Sequence, residues 1–301
     1  MATPLSADRL LAALRAEGVT VVEHDGWRTH HRDHVGAWGP VNGVMIHHTV
    51  SSGTASSVEL CYDGYAGLPG PLCHGVIAKD GTVHLVGNGR ANHAGGGDPS
   101  VLQAVITETY GERPPAPREH QGSSGAVDGN ARFYGFECVN LGDGSDPWPP
   151  EQLDAIERVS AAVCRAHGWG AKSVIGHLEW SDWKSDPRGF GMPGLRDRVQ
   201  ARLGAAPAKA ASARPDTPRH EPFPGASFFK ARPSSPIVTA MGRRLMAEGC
   251  AEYRIGPGPR WTDADRRAYA AWQRKLGFTG SDADGWPGRA SWNALKVPHT
   301  T

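Results

Sequence analysis

Residues 43–49 read GVMIHHT, a compact apolar run that predicts a buried strand ending in two histidines, His47 and His48. Thr49 and a Ser/Gly-rich stretch follow directly. A strand end that opens into a flexible loop is where an α/β protein builds its functional site. The stretch therefore predicts a core strand and one wall of a site.

Strand and helix patterns alternate outward from this run. Further strands are predicted within residues 75–86, 134–140 and 173–176. The first of these ranges contains Asp80-Gly81, a strong hairpin signal. Residues 151–167 carry apolar side chains every three or four positions and predict an amphipathic helix closed by Gly168. The fold class predicted is α/β, with a mixed central β-sheet flanked by helices.

Composition limits the classes of partner. The chain has 301 residues and a formal net charge of +1, so two domains are expected and no whole-chain charge favours nucleic acid. No apolar run is long enough to insert into a membrane, and residues 1–27 read as a helix capped by Ser6 rather than as a secretory signal. We expect synthesis in the cytoplasm without an export signal.

Composition also divides the chain. Residues 204–221 are Ala/Pro-rich and lack apolar periodicity, which predicts a linker between a domain at 1–203 and a module at 222–301. The module has a helical pattern at 265–276 and four tryptophans, for which a core role is favoured over sugar stacking.

The chain has five cysteines, an odd number without CxxC spacing, which argues against a disulfide scaffold. A disulfide between Cys61 and Cys73 stays open as an alternative.

A second histidine, His177, also follows a strand pattern, and Asp186 stands nine residues further on. Two imidazoles and one carboxylate, His47, His177 and Asp186, form a normal catalytic zinc set that leaves a fourth position for water. Taken alone, any one of the chain's 14 histidines is more often a surface or core residue than a ligand. The joint placement at strand ends favours a site.

Five motifs occur in order: IHHT at 46–49, CHGVIAKDGTVHLV at 73–86, NHAG at 92–95, GFECVN at 135–140, and VIGH at 174–177 with KSDP at 184–187. Together they resemble the N-acetylmuramoyl-L-alanine amidase family of the amidase-2 type, which includes peptidoglycan recognition proteins. The resemblance implies one Zn²⁺ per chain, held by His47, His177 and Asp186.

The same resemblance implies that Glu137 is the general base and that Lys184 steadies the oxyanion. Without the metal motifs, these two residues would be interpreted as an ordinary paired carboxylate and a surface cation. Cys73 stands where one branch of the family has a tyrosine, which gives Glu137 more weight. Weaker expectations of substrate contact fall on His48, His74, Asn92, His93, Asn140 and Trp180.

The expected function is hydrolysis of the amide between N-acetylmuramic acid and L-alanine in bacterial peptidoglycan. The C-terminal module resembles peptidoglycan-binding modules of actinobacterial and actinophage wall hydrolases. We expect a monomeric phage or prophage endolysin that reaches the wall after holin-type release or lysis, without nucleic acid as a partner. Two alternatives stay open: a non-catalytic peptidoglycan-recognition protein, and a zinc peptidase acting within the stem peptide.

Overall fold

The structure, a computed structural model, describes residues 2–207, 220–250, 253, 256–298 and 300. The chain divides into two compact units, Met1–Ser212 and Ala213–Thr301. Most of the predicted linker, residues 208–219, lies outside the described residues. At its ends, Gly204 is the last residue of a helix, and the Glu221 N–H donates to the Val297 carbonyl of the second unit. The described ends of the predicted linker are therefore part of folded elements.

The first unit contains both helices and strands. Its helices are α1 Ala7–Ala16, α2 Thr54–Asp63, α3 Pro99–Thr107, α4 Pro150–His167, α5 His177–Trp180 and α6 Met192–Gly204. Its strands are β1 Val21–Glu23, β2 Gly43–His48, β3 Gly64–Tyr65, β4 Leu68–Pro69, β5 Gly75–Ile77, β6 Val83–Leu85, β7 Gly96–Gly97, β8 Val127–Asp128, β9 Phe133–Cys138 and β10 Val174–Gly176.

Six strands form one mixed sheet in the order β1-β6-β5-β9-β2-β10. The β5–β6 pair is antiparallel, and the other neighbouring pairs are parallel. The predicted α/β class with a mixed central sheet flanked by helices is confirmed. Because β9, β2 and β10 run in the same direction, their carboxyl ends meet at one edge of the sheet.

Local sequence signals account for several element boundaries. Ser6 caps α1 by accepting from the Arg9 N–H, as expected from its position. Gly81, with φ of +80°, turns the chain between β5 and β6, and Gly168, with φ of +71°, ends α4. Glycine adopts these left-handed angles without the steric cost that a side chain would add. The predicted hairpin and the predicted helix at 151–167 are therefore confirmed.

Alternation along β2 sends its side chains to two different cores. Val44 and Ile46 pack in the large core beneath α1, α4 and α6. Met45 packs on the opposite face, in a smaller core with Val101 and Trp180. By the same alternation, the side chain of His47 lies on the same face of the sheet as Met45. It therefore points away from the core beneath α1, α4 and α6.

The second unit is helical in its described part. Its helices are α7 Ala226–Lys230, α8 Pro236–Ala247, α9 Asp263–Lys275 and α10 Arg289–Leu295. Its core contains Phe229 and the tryptophans Trp261, Trp272 and Trp292, with Trp286 partly buried against them. The helix predicted at 265–276 corresponds to α9, and the favoured core role of the tryptophans is confirmed.

Two further features concern the whole described chain. All five cysteines have free thiols, and four of them are buried. The Cys61–Cys73 bridge that the sequence left open is therefore not formed. Within the described ranges, every helix is too short or too polar to cross a membrane.

Candidate active site

The ends of three neighbouring strands bring the predicted ligands together. His47 is the fifth residue of β2, and its partner in the ladder on β9 is Glu137. On the other side of β2, strand β10 ends at Gly176 and His177 begins α5. The loop after α5 returns Asp186 to the same place. Residues 130 and more positions apart in sequence thus meet because their strands are adjacent.

Three atoms converge at this edge. His47 Nδ1 lies 3.0 Å from His177 Nδ1 and 3.0 Å from Asp186 Oδ2, and His177 Nδ1 lies 3.2 Å from the same carboxylate oxygen. Both histidines are buried, and Asp186 is half-buried. Among the described residues, this is the single cluster of His, Cys, Asp and Glu side chains with the spacing needed to hold a metal ion.

The donor set fits zinc. Bonds of 2.0–2.1 Å to a tetrahedral zinc place neighbouring ligand atoms about 3.3 Å apart, close to the separations observed here. The His177 ring donates from Nε2 to the Ala94 carbonyl at 3.1 Å. Since a carbonyl only accepts, the neutral ring has a bare Nδ1, which faces the other two atoms. An acceptor nitrogen and a carboxylate oxygen facing each other are suited to a cation between them.

The buried surroundings shift the pKa values of the cluster. Burial, and then the neighbouring His177, lower the pKa of His47 to about 4. Burial opposes ionisation of Asp186, but the neighbouring His177 and His47 rings outweigh it and hold the pKa of that carboxyl well below its usual range. At neutral pH the cluster therefore contains a neutral His47 and a charged Asp186, the protonation states that metal binding requires.

Glu137 lies beside the cluster with one oxygen unsatisfied. Its Oε2 is buried and has no hydrogen-bond partner among the residues described. Burial is the main cause that raises the pKa of Glu137 well above its usual range, and the Asp186 charge adds to the rise. The Lys184 ammonium opposes part of it. A carboxyl group with a raised pKa next to a candidate metal site is suited to taking up and releasing a proton.

A cleft of about 620 Å³ opens against the cluster. His177, Lys184 and Asn92 are among the residues that line it. Arg90 and Asp128 also line it and form an ion pair of 2.8 Å. The cleft is large enough for a sugar–peptide fragment and reaches His177 directly.

The six residues predicted to contact substrate differ in their burial and in whether they line the cleft. Asn92 lines the cleft and is partly exposed, and its contact with a substrate stays a prediction. His48 is buried, and its Nδ1 accepts from the Arg188 N–H. Asn140 is buried and orders its own loop, donating to the Asp146 carbonyl and accepting from the Gly142 N–H. His48 and Asn140 therefore support the loops around the site rather than present free polar atoms to a ligand.

The other three predicted contacts are also buried. His74 has both ring nitrogens hydrogen-bonded to backbone, at Gly89 and Gly135. His93 touches the cleft with little exposed surface, and both of its ring nitrogens have partners within the protein. Trp180 is 0% exposed and packs edge-on against Phe133. A substrate contact is therefore the wrong interpretation for His74 and Trp180, because no part of either side chain reaches the cleft.

An exposed tryptophan was missed by the sequence analysis. Trp183 lines the cleft and is 68% exposed. One face of its ring stacks on His120, with ring centroids 3.5 Å apart and planes within 13°. His120 is in turn held to the Asp182 carboxylate at 2.9 Å. The sequence contained one signal, since Trp183 directly precedes Lys184 in the loop that carries Asp186.

The profile described as N-acetylmuramoyl-L-alanine amidase matches residues 37–189, about half of the chain. The chain belongs to this family. The match spans His47, Glu137, His177, Lys184 and Asp186. No curated protein sequence matches the chain.

Several solved structures of amidases are similar to this family member. The endolysin amidase LysCS from Clostridium intestinale shares 19% identity, with a TM-score of 0.38, over 62% of this chain and 96% of its own. The Ph2119 endolysin from a Thermus scotoductus bacteriophage shares 14% identity, with a TM-score of 0.39, over 60% and 99%. The Escherichia coli amidase AmiD, solved with an anhydro-muropeptide substrate, shares 17%, with a TM-score of 0.31, over 94% and 97%.

Proposed function

We propose that the chain is a zinc-dependent N-acetylmuramoyl-L-alanine amidase that cleaves the amide between N-acetylmuramic acid and L-alanine in peptidoglycan. The observation that carries the proposal is the convergence of His47 Nδ1, His177 Nδ1 and Asp186 Oδ2 within 3.2 Å of one another beside the cleft. These three residues would hold one Zn²⁺. Zinc bound there supplies a Lewis acid and lowers the pKa of a water molecule.

Glu137 would move the proton. Its buried, unpartnered Oε2 would accept a proton from the attacking water and donate it to the leaving L-alanine nitrogen. Burial raises the pKa of Glu137, so the protonated carboxyl is accessible as an intermediate state rather than strongly disfavoured. The double role needs one group that both takes and gives a proton, and Glu137 is the carboxyl opposite His47 in the sheet.

Lys184 would stabilise the developing negative charge on the carbonyl oxygen. Its side chain is exposed at the wall of the cleft, next to His177. A fixed positive charge at that position interacts more strongly with the transition state than with the neutral amide. The free face of Trp183, which also lines the cleft, would stack on a sugar ring, and Asn92 would hydrogen-bond to the ligand.

The wider context is part of the proposal. The second unit, with its resemblance to peptidoglycan-binding modules, would hold the enzyme on the wall and raise its local concentration there. A phage or prophage endolysin acting as a monomer after release from the host cytoplasm is the setting that the sequence motifs favour. A non-catalytic recognition protein is expected to lose a metal ligand, and in this sequence His47, His177 and Asp186 fill all three matching positions.

Digestion of purified peptidoglycan with and without a chelator, followed by mass analysis of the products, tests the proposal. We expect free stem peptides beginning at L-alanine, lost on chelation and restored by zinc. Cleavage within the stem would instead make the protein a peptidase. Binding to the wall without cleavage under either condition would make it a recognition protein and remove the roles given to Glu137 and Lys184.

A further inference from the structure

A line of buried hydrogen bonds leads from the backbone of β9 to the cluster. The His93 Nε2 lies 3.1 Å from the Phe133 carbonyl oxygen, and the His93 Nδ1 lies 3.0 Å from the Nε2 of His47. His47 then presents its Nδ1 to His177 and Asp186. His93 and His47 are almost completely buried, so water does not compete for these contacts.

The Phe133 carbonyl, at the start of this line, decides which atom donates in each of the hydrogen bonds that follow. The Phe133 carbonyl can only accept, so His93 carries its proton on Nε2. In a neutral ring the Nδ1 of His93 is then an acceptor, and the His47 Nε2 must donate to it. A neutral His47 protonated on Nε2 has a lone pair on Nδ1, the atom that faces the cluster.

The fold holds the His93 ring in this orientation. The backbone N–H of His93 donates to the Asn130 Oδ1 at 2.9 Å, which fixes the backbone from which the ring extends. The ring lies over Gly135 of β9, where a Cβ would overlap the imidazole. It meets the His47 ring edge-on, with the planes at 88°. The His93 ring therefore packs directly against the strand that carries Glu137.

We propose that His93 is a positioning residue that selects the Nε2-protonated tautomer of His47 and thereby keeps His47 Nδ1 free to bind the metal. This inference rests on the proposed zinc amidase function. Groups that orient metal-binding histidines commonly change metal affinity by 10–100-fold when removed. Since both nitrogens of His93 are engaged inside the protein, its role differs from the substrate contact expected from the NHAG motif.

The chain offers a matched control in His74. This ring is also fully buried, and its Nε2 donates to the Gly89 carbonyl while its Nδ1 accepts from the Gly135 N–H. Both partners are backbone groups, and neither nitrogen contacts His47, His177 or Asp186. Replacing His74 therefore tests the cost of losing a buried imidazole near the site without changing the tautomer of His47.

Zinc affinity of the full-length chain, measured by competition with a chromophoric chelator, provides the first test. We expect His93→Phe, which keeps a ring but removes the acceptor, to weaken zinc binding about 10–100-fold. His93→Asn, whose Oδ1 can accept from His47, should recover most of the affinity. The folded fraction of the control variant His74→Phe should bind zinc with the same affinity as the wild type. Equal zinc affinity of folded His93→Phe and the wild type would overturn the inference.

The tautomer of His47 in the metal-free wild type provides the second test, and it requires neither zinc nor a folded variant. In long-range ¹H–¹⁵N spectra of the imidazoles, we expect the His47 proton on Nε2. A proton on Nδ1 would refute the role of His93 even if the enzyme is zinc-dependent. A wild-type chain that binds no zinc, with His47 still protonated on Nε2, would instead refute the proposed function.

Discussion

The two units of this chain bury different kinds of side chain. The first unit buries five histidines around its sheet edge, namely His47, His48, His74, His93 and His177. The second unit buries aromatic side chains, and two of its tryptophans direct their single polar atom to a backbone carbonyl, Trp272 to Ser291 and Trp292 to Glu221. A neutral imidazole in a core needs two hydrogen-bond partners, one for each ring nitrogen, whereas an indole needs one.

The interiors of the two units are stabilised by different interactions. Buried polar groups cost free energy unless each one is hydrogen-bonded, so a histidine-rich interior is maintained by specific partners rather than by area alone. Large aromatic residues stabilise a small unit chiefly through buried apolar surface. We therefore expect metal removal, acid and substitution at histidines to act on the first unit, and loss of tryptophans to act on the second.

The largest effect is expected from His177→Ala. The change removes one of three converging ligand atoms, so zinc binding and amidase activity should both fall below detection. Measurement requires zinc content after dialysis together with release of stem peptides from peptidoglycan. His31→Ala, at an exposed histidine of the same unit, serves as the control and should keep both properties. An active, zinc-free His177→Ala protein would overturn the site assignment.

Glu137→Gln should remove turnover and leave the metal in place. The amide cannot take a proton from water, so kcat should fall about 10²–10⁴-fold, the usual contribution of general acid–base catalysis. Zinc content and the binding of uncleaved substrate should stay close to wild type. A variant that loses zinc along with activity would indicate that Glu137 supports the ligands rather than the proton transfer.

Trp292→Ala should act on the second unit alone. The ring is fully buried in the aromatic core, and truncation of such a residue costs about 3–5 kcal/mol of the free energy of unfolding. Differential scanning calorimetry should show the transition of the second unit lowered or lost. Activity on a small soluble muropeptide should be unchanged, while a fall in that activity would show that the units are energetically coupled.

Acid should destabilise the first unit selectively. Burial lowers the pKa of His74 to about 4, below the value of 6.5 for an unfolded histidine. The unfolded chain therefore binds the proton more readily, and the stability gained by a neutral His74 is complete above about pH 6.5 and is lost as the pH falls toward 4.

This single residue accounts for a change of about 3 kcal/mol in the free energy of unfolding. Urea unfolding of the metal-free chain at several pH values, followed with a probe in each unit, measures the change. His74→Phe should reduce the pH dependence of the first unit without abolishing it, because burial also lowers the pKa of His47. A slope that His74→Phe leaves unchanged would assign the acid sensitivity to other groups.

The smallest effect is expected from Trp183→Ala. Trp183 is the exposed counterpart of the buried tryptophans, and its contribution is limited to stacking on a ligand, worth about 0.5–1.5 kcal/mol. KM for a sugar-containing muropeptide should rise about 2–10-fold with kcat unchanged. A peptide substrate that lacks the sugar should show no change. An equal rise for both substrates would place the peptide, rather than the sugar, on Trp183.

Much of the fold followed from local patterns in the sequence. The apolar run at 43–47, the Asp80-Gly81 turn and the helix ending at Gly168 are each specified by neighbouring residues, and each is confirmed. The residues expected to bind the metal were also accessible to sequence reasoning. His47 is the last residue but one of β2, His177 directly follows β10, and parallel neighbouring strands bring their carboxyl ends to one edge.

Only the tertiary structure decided which side chains face the cleft and which are buried. Trp180 and Trp183 stand three residues apart, yet the first packs on Phe133 in the core and the second lines the cleft on His120. His74 and His93 both occur in family motifs, and only His93 reaches His47. Burial and hydrogen-bond direction depend on residues distant in sequence, and a local pattern contains no information about them until the strands are adjacent.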